Sequence, residues 1–95
     1  MKRAKRSLGQ NFLIDQNILN KIVNFLEIKD QNVLEIGPGR GALTKKIIEK
    51  KPKSLILIEK DIQLFEKLKE EFKNIKFVKM YNSDILKIKL EKILK

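Results

Sequence analysis

The stretch Asn32-Val33-Leu34-Glu35-Ile36-Gly37-Pro38-Gly39-Arg40-Gly41-Ala42-Leu43-Thr44 decides the fold of this chain. Val33 to Ile36 is a short apolar run with the length and β-branched content of a buried strand. Glycines follow at alternate positions, Gly37, Gly39 and Gly41, and beyond them Leu43 and Ile47 stand four apart, as on one face of a helix. A strand that turns through glycines into a helix makes a specific kind of site. Without Cβ atoms the backbone turns tightly and a ligand can approach it closely. The helix start then presents unpaired N–H groups. The stretch reads as a nucleotide-cofactor loop.

Which nucleotide it serves depends on the neighbouring residues. The dinucleotide fingerprint G-x-G-x-x-G/A fits Gly37, Gly39 and Ala42. Pro38, however, has no N–H and so offers a pyrophosphate one donor fewer. Glu35 stands two residues before Gly37 and places a carboxylate near the strand end facing a ligand, which suits a cation better than a phosphate. The pattern Glu-x-Gly-x-Gly-x-Gly resembles the first motif of methyltransferases that use S-adenosylmethionine, whose methionine end carries an ammonium and a sulfonium. No G-x-x-x-x-G-K-[ST] occurs, so a phosphate-cradling P-loop is excluded.

Composition bounds the chemistry further. The 95 residues allow one small domain or part of a larger one. There is no cysteine and no histidine, which removes disulfides, thiolate metal sites and the usual general base, and no metal is expected. No apolar run approaches a membrane span and the start is charged, so the chain reads as soluble and cytoplasmic, without a membrane partner. Net charge is +10, from 22 basic and 12 acidic residues, which favours a polyanionic partner such as nucleic acid. A lysine bias that merely coats the surface is the competing explanation. Lys2, Arg3, Lys5 and Arg6 cluster in the first seven residues and are the candidate RNA contacts.

In chain order, Met1 to Ser7 is a basic arm without periodicity, and Leu8 to Asp15 a loop tucked onto a core, with Asp15 as N-cap of the next helix. That helix runs from about Gln16 to Glu27, with Ile18, Leu19, Ile22, Val23, Phe25 and Leu26 on one apolar face. After the glycine loop and its helix, Lys51-Pro52-Lys53 breaks the chain, and Ser54 to Glu59 is a second strand, apolar on both faces. Glu59 ends it twenty-two residues after Gly37, placed to accept from both ribose hydroxyls of an adenosine. Asp61 caps a helix from Ile62 to Lys73, and a third strand runs from Ile75 to Tyr81. Asp84 follows it, able to accept from an adenine amine with Ile85 flanking the ring. The tail from Leu86 to Lys95 fits a strand and a helical turn equally.

The order is therefore basic arm, helix, then β-α-β-α-β, an α/β fold with the first strand central and helices on the faces. It matches the N-terminal half of a Rossmann-like methyltransferase sheet. Residues 1–15 form the arm and cofactor or RNA segment, and residues 16–95 a partial cofactor-binding domain. Strand ends carrying Gly37, Glu59 and Asp84 converge on one edge, where open α/β sheets bind ligands.

Lys5-Arg6-Ser7-Leu8-Gly9-Gln10-Asn11-Phe12-Leu13 followed by Glu35-Ile36-Gly37-Pro38-Gly39 resembles the bacterial small-subunit ribosomal RNA adenine dimethyltransferase family. A sister family acts on large-subunit RNA and usually has serine before Gln-Asn-Phe and serine or alanine after Glu-Ile-Gly; Gly9 and Pro38 favour the small-subunit enzyme. The resemblance implies that Asn11, Leu13, Gly37 and Gly39 line the S-adenosylmethionine site, that Glu59 holds the ribose and that Asp84 holds the adenine amine. It implies methyl transfer to the exocyclic amines of two adjacent adenines near the small-subunit RNA 3′ end, on a maturing subunit particle, by a monomer. The family's catalytic Asn-Leu-Pro-Tyr or Phe motif is absent from these residues, as is its helical RNA-binding domain. No catalytic residue is assigned, and the chain alone is expected to be inactive. A non-catalytic nucleotide- or RNA-binding remnant, the large-subunit enzyme and a dinucleotide oxidoreductase fragment are the competing readings.

Overall fold

The computed structural model describes residues 15–88. Helix α1 spans Gln16–Phe25, strand β1 Asn32–Ile36, helix α2 Ala42–Glu49, strand β2 Ser54–Glu59, helix α3 Ile62–Phe72 and strand β3 Val78–Asn82. Two helices begin on aspartate caps read from the sequence. The Asp15 carboxylate accepts from the N–H groups of Asn17 and Ile18 at 2.9 and 3.3 Å, and that of Asp61 from Gln63 and Leu64 at 2.8 and 3.1 Å. Each cap satisfies donors that have no partner inside the helix.

The three strands are parallel, in the order β1-β2-β3. Val33 pairs Leu55, which pairs Val78, and Glu35 pairs Leu57, which pairs Met80. Side chains alternate across a sheet, so all six of these residues share one face. On that face Leu55 and Leu57 are buried with Val23 of α1, Ile47 of α2, and Leu68 and Phe72 of α3. The core therefore lies between one face of the sheet and all three helices.

Three expectations are corrected. The first helix stops at Phe25 instead of Glu27, and Phe25 (88% exposed) and Leu26 (49%) leave its apolar face. Leu19 and Val23 set the buried stripe at a spacing of four; Phe25, two residues on, is turned by about 200° to the outer side. The third strand begins at Val78, not Ile75. Ile75 and Phe77 still pack on the core, but their backbone turns, with Ile75 N–H on Phe72 O and Val78 N–H on Ile75 O. Apolar packing and strand pairing are separate demands, and the sequence pattern reports only the first. The central strand is β2, not β1, because among the described residues β1 has a neighbour on one side only.

Gly41 joins the loop to the core. Its φ is +85°, and a Cβ there would stand 3.1 Å from Leu68 Cδ2 and 3.2 Å from Phe72 Cε2. Gly37 also has positive φ (+70°), but a Cβ there would meet nothing within 4 Å. Both substitutions by alanine incur left-handed strain, of order 1–3 kcal/mol. Only Gly41→Ala adds crowding against buried side chains. Thermal unfolding is expected to show a larger fall in Tm for Gly41→Ala than for Gly37→Ala, with each kcal/mol worth about 4–8 °C in a domain this small.

Candidate functional site

Because the strands are parallel and adjacent, their carboxyl ends lie side by side, and backbone hydrogen bonds tie them. Gly37 N–H donates to Ile58 O at 2.8 Å, and Ser83 N–H to Glu59 O at 3.2 Å. The Asn82 side-chain amide donates to the carbonyls of Glu59 and Lys60 at 2.9 and 3.1 Å. Gly37, Glu59 and Asp84 therefore stand on three neighbouring loops of one edge, as the sequence order requires.

Glu59 is the best-held side chain of this edge. It is only 7% exposed, yet neither carboxylate oxygen is left bare. Oε1 accepts from Gly39 N–H at 3.0 Å and Oε2 from Asp61 N–H at 2.9 Å. A carboxylate has about four acceptor positions, so these two bonds offset its burial and leave capacity for two more donors. A pair of ribose hydroxyls matches that capacity.

The start of α2 has no side-chain cap, as expected for a helix end that presents its N–H groups, whereas the glycines of the loop use their own donors. Gly37 N–H is committed to Ile58, Gly39 N–H to Glu59, and Gly41 N–H to Pro38 O at 2.9 Å, while Pro38 has none. All three glycine donors of this loop are spent inside the protein. A pyrophosphate needs such donors, whereas a cationic or neutral ligand end needs only close backbone approach, which the glycines allow.

Glu35 lies on the core-facing side of β1 and is half-buried. Its Oε1 accepts from the Thr44 hydroxyl at 2.6 Å, and Thr44, in the first turn of α2, is fully buried. Burial pushes the Glu35 carboxyl above its ordinary value; the Thr44 hydrogen bond opposes this and the charge of Glu59 adds to it. Thr44 and Asn82 were missed from the sequence. Their signals, a hydroxyl nine residues after Glu35 and an amide in register with Glu59, acquire meaning only once helix and strands are packed.

Asp84 is half-buried and its Oδ1 accepts from Leu86 N–H at 2.9 Å, a turn that fixes the carboxylate beside the strand end. Asn11, Leu13, Lys2, Arg3, Lys5 and Arg6 lie outside the described residues.

The raised pKa of Glu35 has a signed consequence. The native state holds the proton at pH values where the unfolded chain has lost it, so this group's contribution falls as pH rises from the ordinary carboxylate range through the folded value. Glu35→Gln removes that dependence. In urea unfolding without ligand, the stability of Glu35→Gln relative to the parent is expected to rise between pH 4 and pH 7.

The chain resembles known proteins in sequence and in fold. The family model for ribosomal RNA adenine dimethylase matches residues 1–95. Ribosomal RNA small subunit methyltransferase A of Pelagibacter ubique is 54% identical over 86 residues, 90% of this chain and 32% of the relative. Among solved structures, a dimethyladenosine transferase from Plasmodium falciparum superposes with a TM-score of 0.68 at 32% identity, over 77% of this chain and 27% of that one. The 23S rRNA methyltransferase ErmE superposes with a TM-score of 0.69 at 28% identity, over 79% of this chain and 31% of that one. The chain thus spans about a third of the length of the proteins it matches. With its whole length matched by the family model and a relative 54% identical over 90% of it, the chain belongs to the ribosomal RNA adenine dimethylase family.

Proposed function

We propose that this chain is the S-adenosylmethionine-holding part of a small-subunit ribosomal RNA adenine dimethyltransferase. The observation that carries the reading is the Glu59 carboxylate, buried at the joined strand ends with two acceptor positions open. The name of the Pelagibacter relative supports the small subunit over the large, in agreement with Gly9 and Pro38.

In this reading Glu59 accepts from the ribose hydroxyls and Asp84 from the adenine amine, with Ile85 beside the ring. Gly37 and Gly39 let the backbone close on the methionine end, and Asn11 and Leu13 complete the pocket. The cofactor, when bound, supplies an electrophilic methyl group on a sulfonium. The residues of this chain hold the donor in line, and alignment is what such a displacement chiefly needs. Glu35, two residues before Gly37, favours the charged methionine end over a phosphate. The acceptors are the exocyclic amines of two adjacent adenines near the RNA 3′ end, each turned out of its stack to be reached. The arm of Lys2, Arg3, Lys5 and Arg6 contacts the RNA of the maturing particle in the cytoplasm, and the protein acts as a monomer.

The basic composition and the joined strand ends also support a second reading, a nucleotide- or RNA-binding unit without transfer activity of its own. Both readings are checked by labelled-methyl transfer to under-methylated small ribosomal subunits. The purified chain is expected to bind the cofactor yet transfer nothing; turnover would mean that catalysis uses residues other than those named here.

Cofactor binding is tested by calorimetry with S-adenosylhomocysteine. Glu59→Ala and Asp84→Ala each remove a hydrogen bond to an ionised acceptor, about 1.5–3 kcal/mol, so each is expected to weaken binding roughly tenfold or more. Unchanged affinity in both would remove these residues from the site.

A further inference from the structure

The edge of the sheet opposite Glu59 and Asp84 carries a line of charge that neither the fold nor the cofactor site uses. All three helices end there, because each leads into the amino end of the next strand. The loops are tied together: Asp30 N–H donates to Lys51 O at 3.0 Å, Lys53 N–H to Gln31 O at 2.8 Å, and Leu55 N–H to Phe77 O at 2.9 Å. These loops hold Lys29, Lys50, Lys51, Lys53, Lys73 and Lys76, all exposed, against Glu27 and Asp30. The loops of the cofactor edge are nearly balanced, with Arg40, Lys60 and Lys87 against Asp61 and Asp84. The positive charge is therefore not spread evenly over the described residues.

Part of the excess has a structural reason. Lys50 and Lys73 cap the carboxyl ends of α2 and α3, where a cation meets the negative end of the helix dipole. Lys50 also donates to the Asn24 side chain at 2.8 Å, and Lys73 pairs with Glu70 at 3.0 Å. Lys29, Lys53 and Lys76 have no such reason. They stand three, one and two residues before β1, β2 and β3, with no side-chain hydrogen bond or ion pair among the described residues. Neighbouring strands lie about 4.8 Å apart, so the backbone positions that carry these lysines fall along roughly 10 Å of edge. Like charges held so close are unfavourable until a polyanion neutralises them. Lys29 also borders an open groove of about 430 Å³ with Asn24, Gln31 and Lys50.

We propose that this amino edge is a second RNA-contact surface, gripping the phosphates of an RNA helix with Lys29, Lys53 and Lys76 while the target adenine is presented at the opposite edge. The inference rests on the reading of the protein as acting on RNA. It adds a remote, sequence-independent hold that orients the particle, since phosphate contacts position without specifying.

The test uses the purified chain and a labelled RNA hairpin of arbitrary sequence, titrated by fluorescence anisotropy at several salt concentrations. The triple variant Lys29→Gln, Lys53→Gln, Lys76→Gln is compared with Lys21→Gln, Lys67→Gln, Lys69→Gln, which removes the same charge from the outer helix faces. Each phosphate contact contributes up to about 0.9 to the slope of log affinity against log salt, so the edge variant is expected to flatten it by about 2 and to bind roughly tenfold more weakly. The helix-face variant is expected to change the slope by less than half as much. Equal effects of the two variants, or no effect of the edge variant, would overturn the proposal. Circular dichroism matching the parent verifies the fold, and the double variant Lys29→Gln, Lys76→Gln replaces the triple one where it does not. S-adenosylhomocysteine affinity, measured on the same variants, is expected to be unchanged; a parent that binds RNA but no cofactor would refute the cofactor reading and leave the edge proposal standing.

Discussion

The site depends on one buried carboxylate being satisfied by backbone. Glu59 ends the central strand, and at 7% exposure its charge would be costly without partners. Gly39 and Asp61 supply one N–H each. Those bonds do more than offset burial. They draw the loop after β1 and the loop after β2 to the same side chain, so the glycine turn and the cap of α3 cannot move independently. With Gly37 on Ile58 and Ser83 on Glu59, all three strand ends are held in one arrangement. A ligand that uses the remaining acceptor positions meets a site already assembled, and preorganisation of this kind lowers the ordering cost of binding.

Glu35 and Thr44 illustrate a different balance. The period of two puts Glu35 on the same face of β1 as Val33, and the register with Leu57 fixes both on the face where the helices pack. The Thr44 hydroxyl is the only polar partner recorded for that carboxylate among the described residues. The result is an acid whose proton is held more tightly than usual, because burial outweighs the Thr44 hydrogen bond.

Most of the fold was legible in local signals. Asp15 and Asp61 announced their helices because a cap is a short-range hydrogen bond. Leu55, Ile56, Leu57 and Ile58 announced a strand covered by other elements, and Gly37, Gly39 and Gly41 a tight turn. The errors have a common cause. Phe25 and Leu26 look like core in a count of apolar residues, and Ile75 looks like strand, but exposure and pairing depend on where the neighbouring element ends. In the site, Glu59 and Asp84 could be placed by spacing from the glycines. The commitment of the Gly37 and Gly39 N–H groups to protein acceptors could not, since Ile58 and Glu59 lie about twenty residues further along.

The sequence by itself determined the order of helices and strands, the glycine turn and the residues at each strand end, and the whole chain's match to one family followed from them. These are properties of short segments, set by periodicity, capping and the freedom of glycine. Only the tertiary structure decided that β2 is central, that Thr44 holds Glu35, that Glu59 is fastened from two loops, and that the lysines before each strand form one line. Each of those joins residues distant in sequence, and parallel pairing, which sets their register, leaves no mark within any single segment.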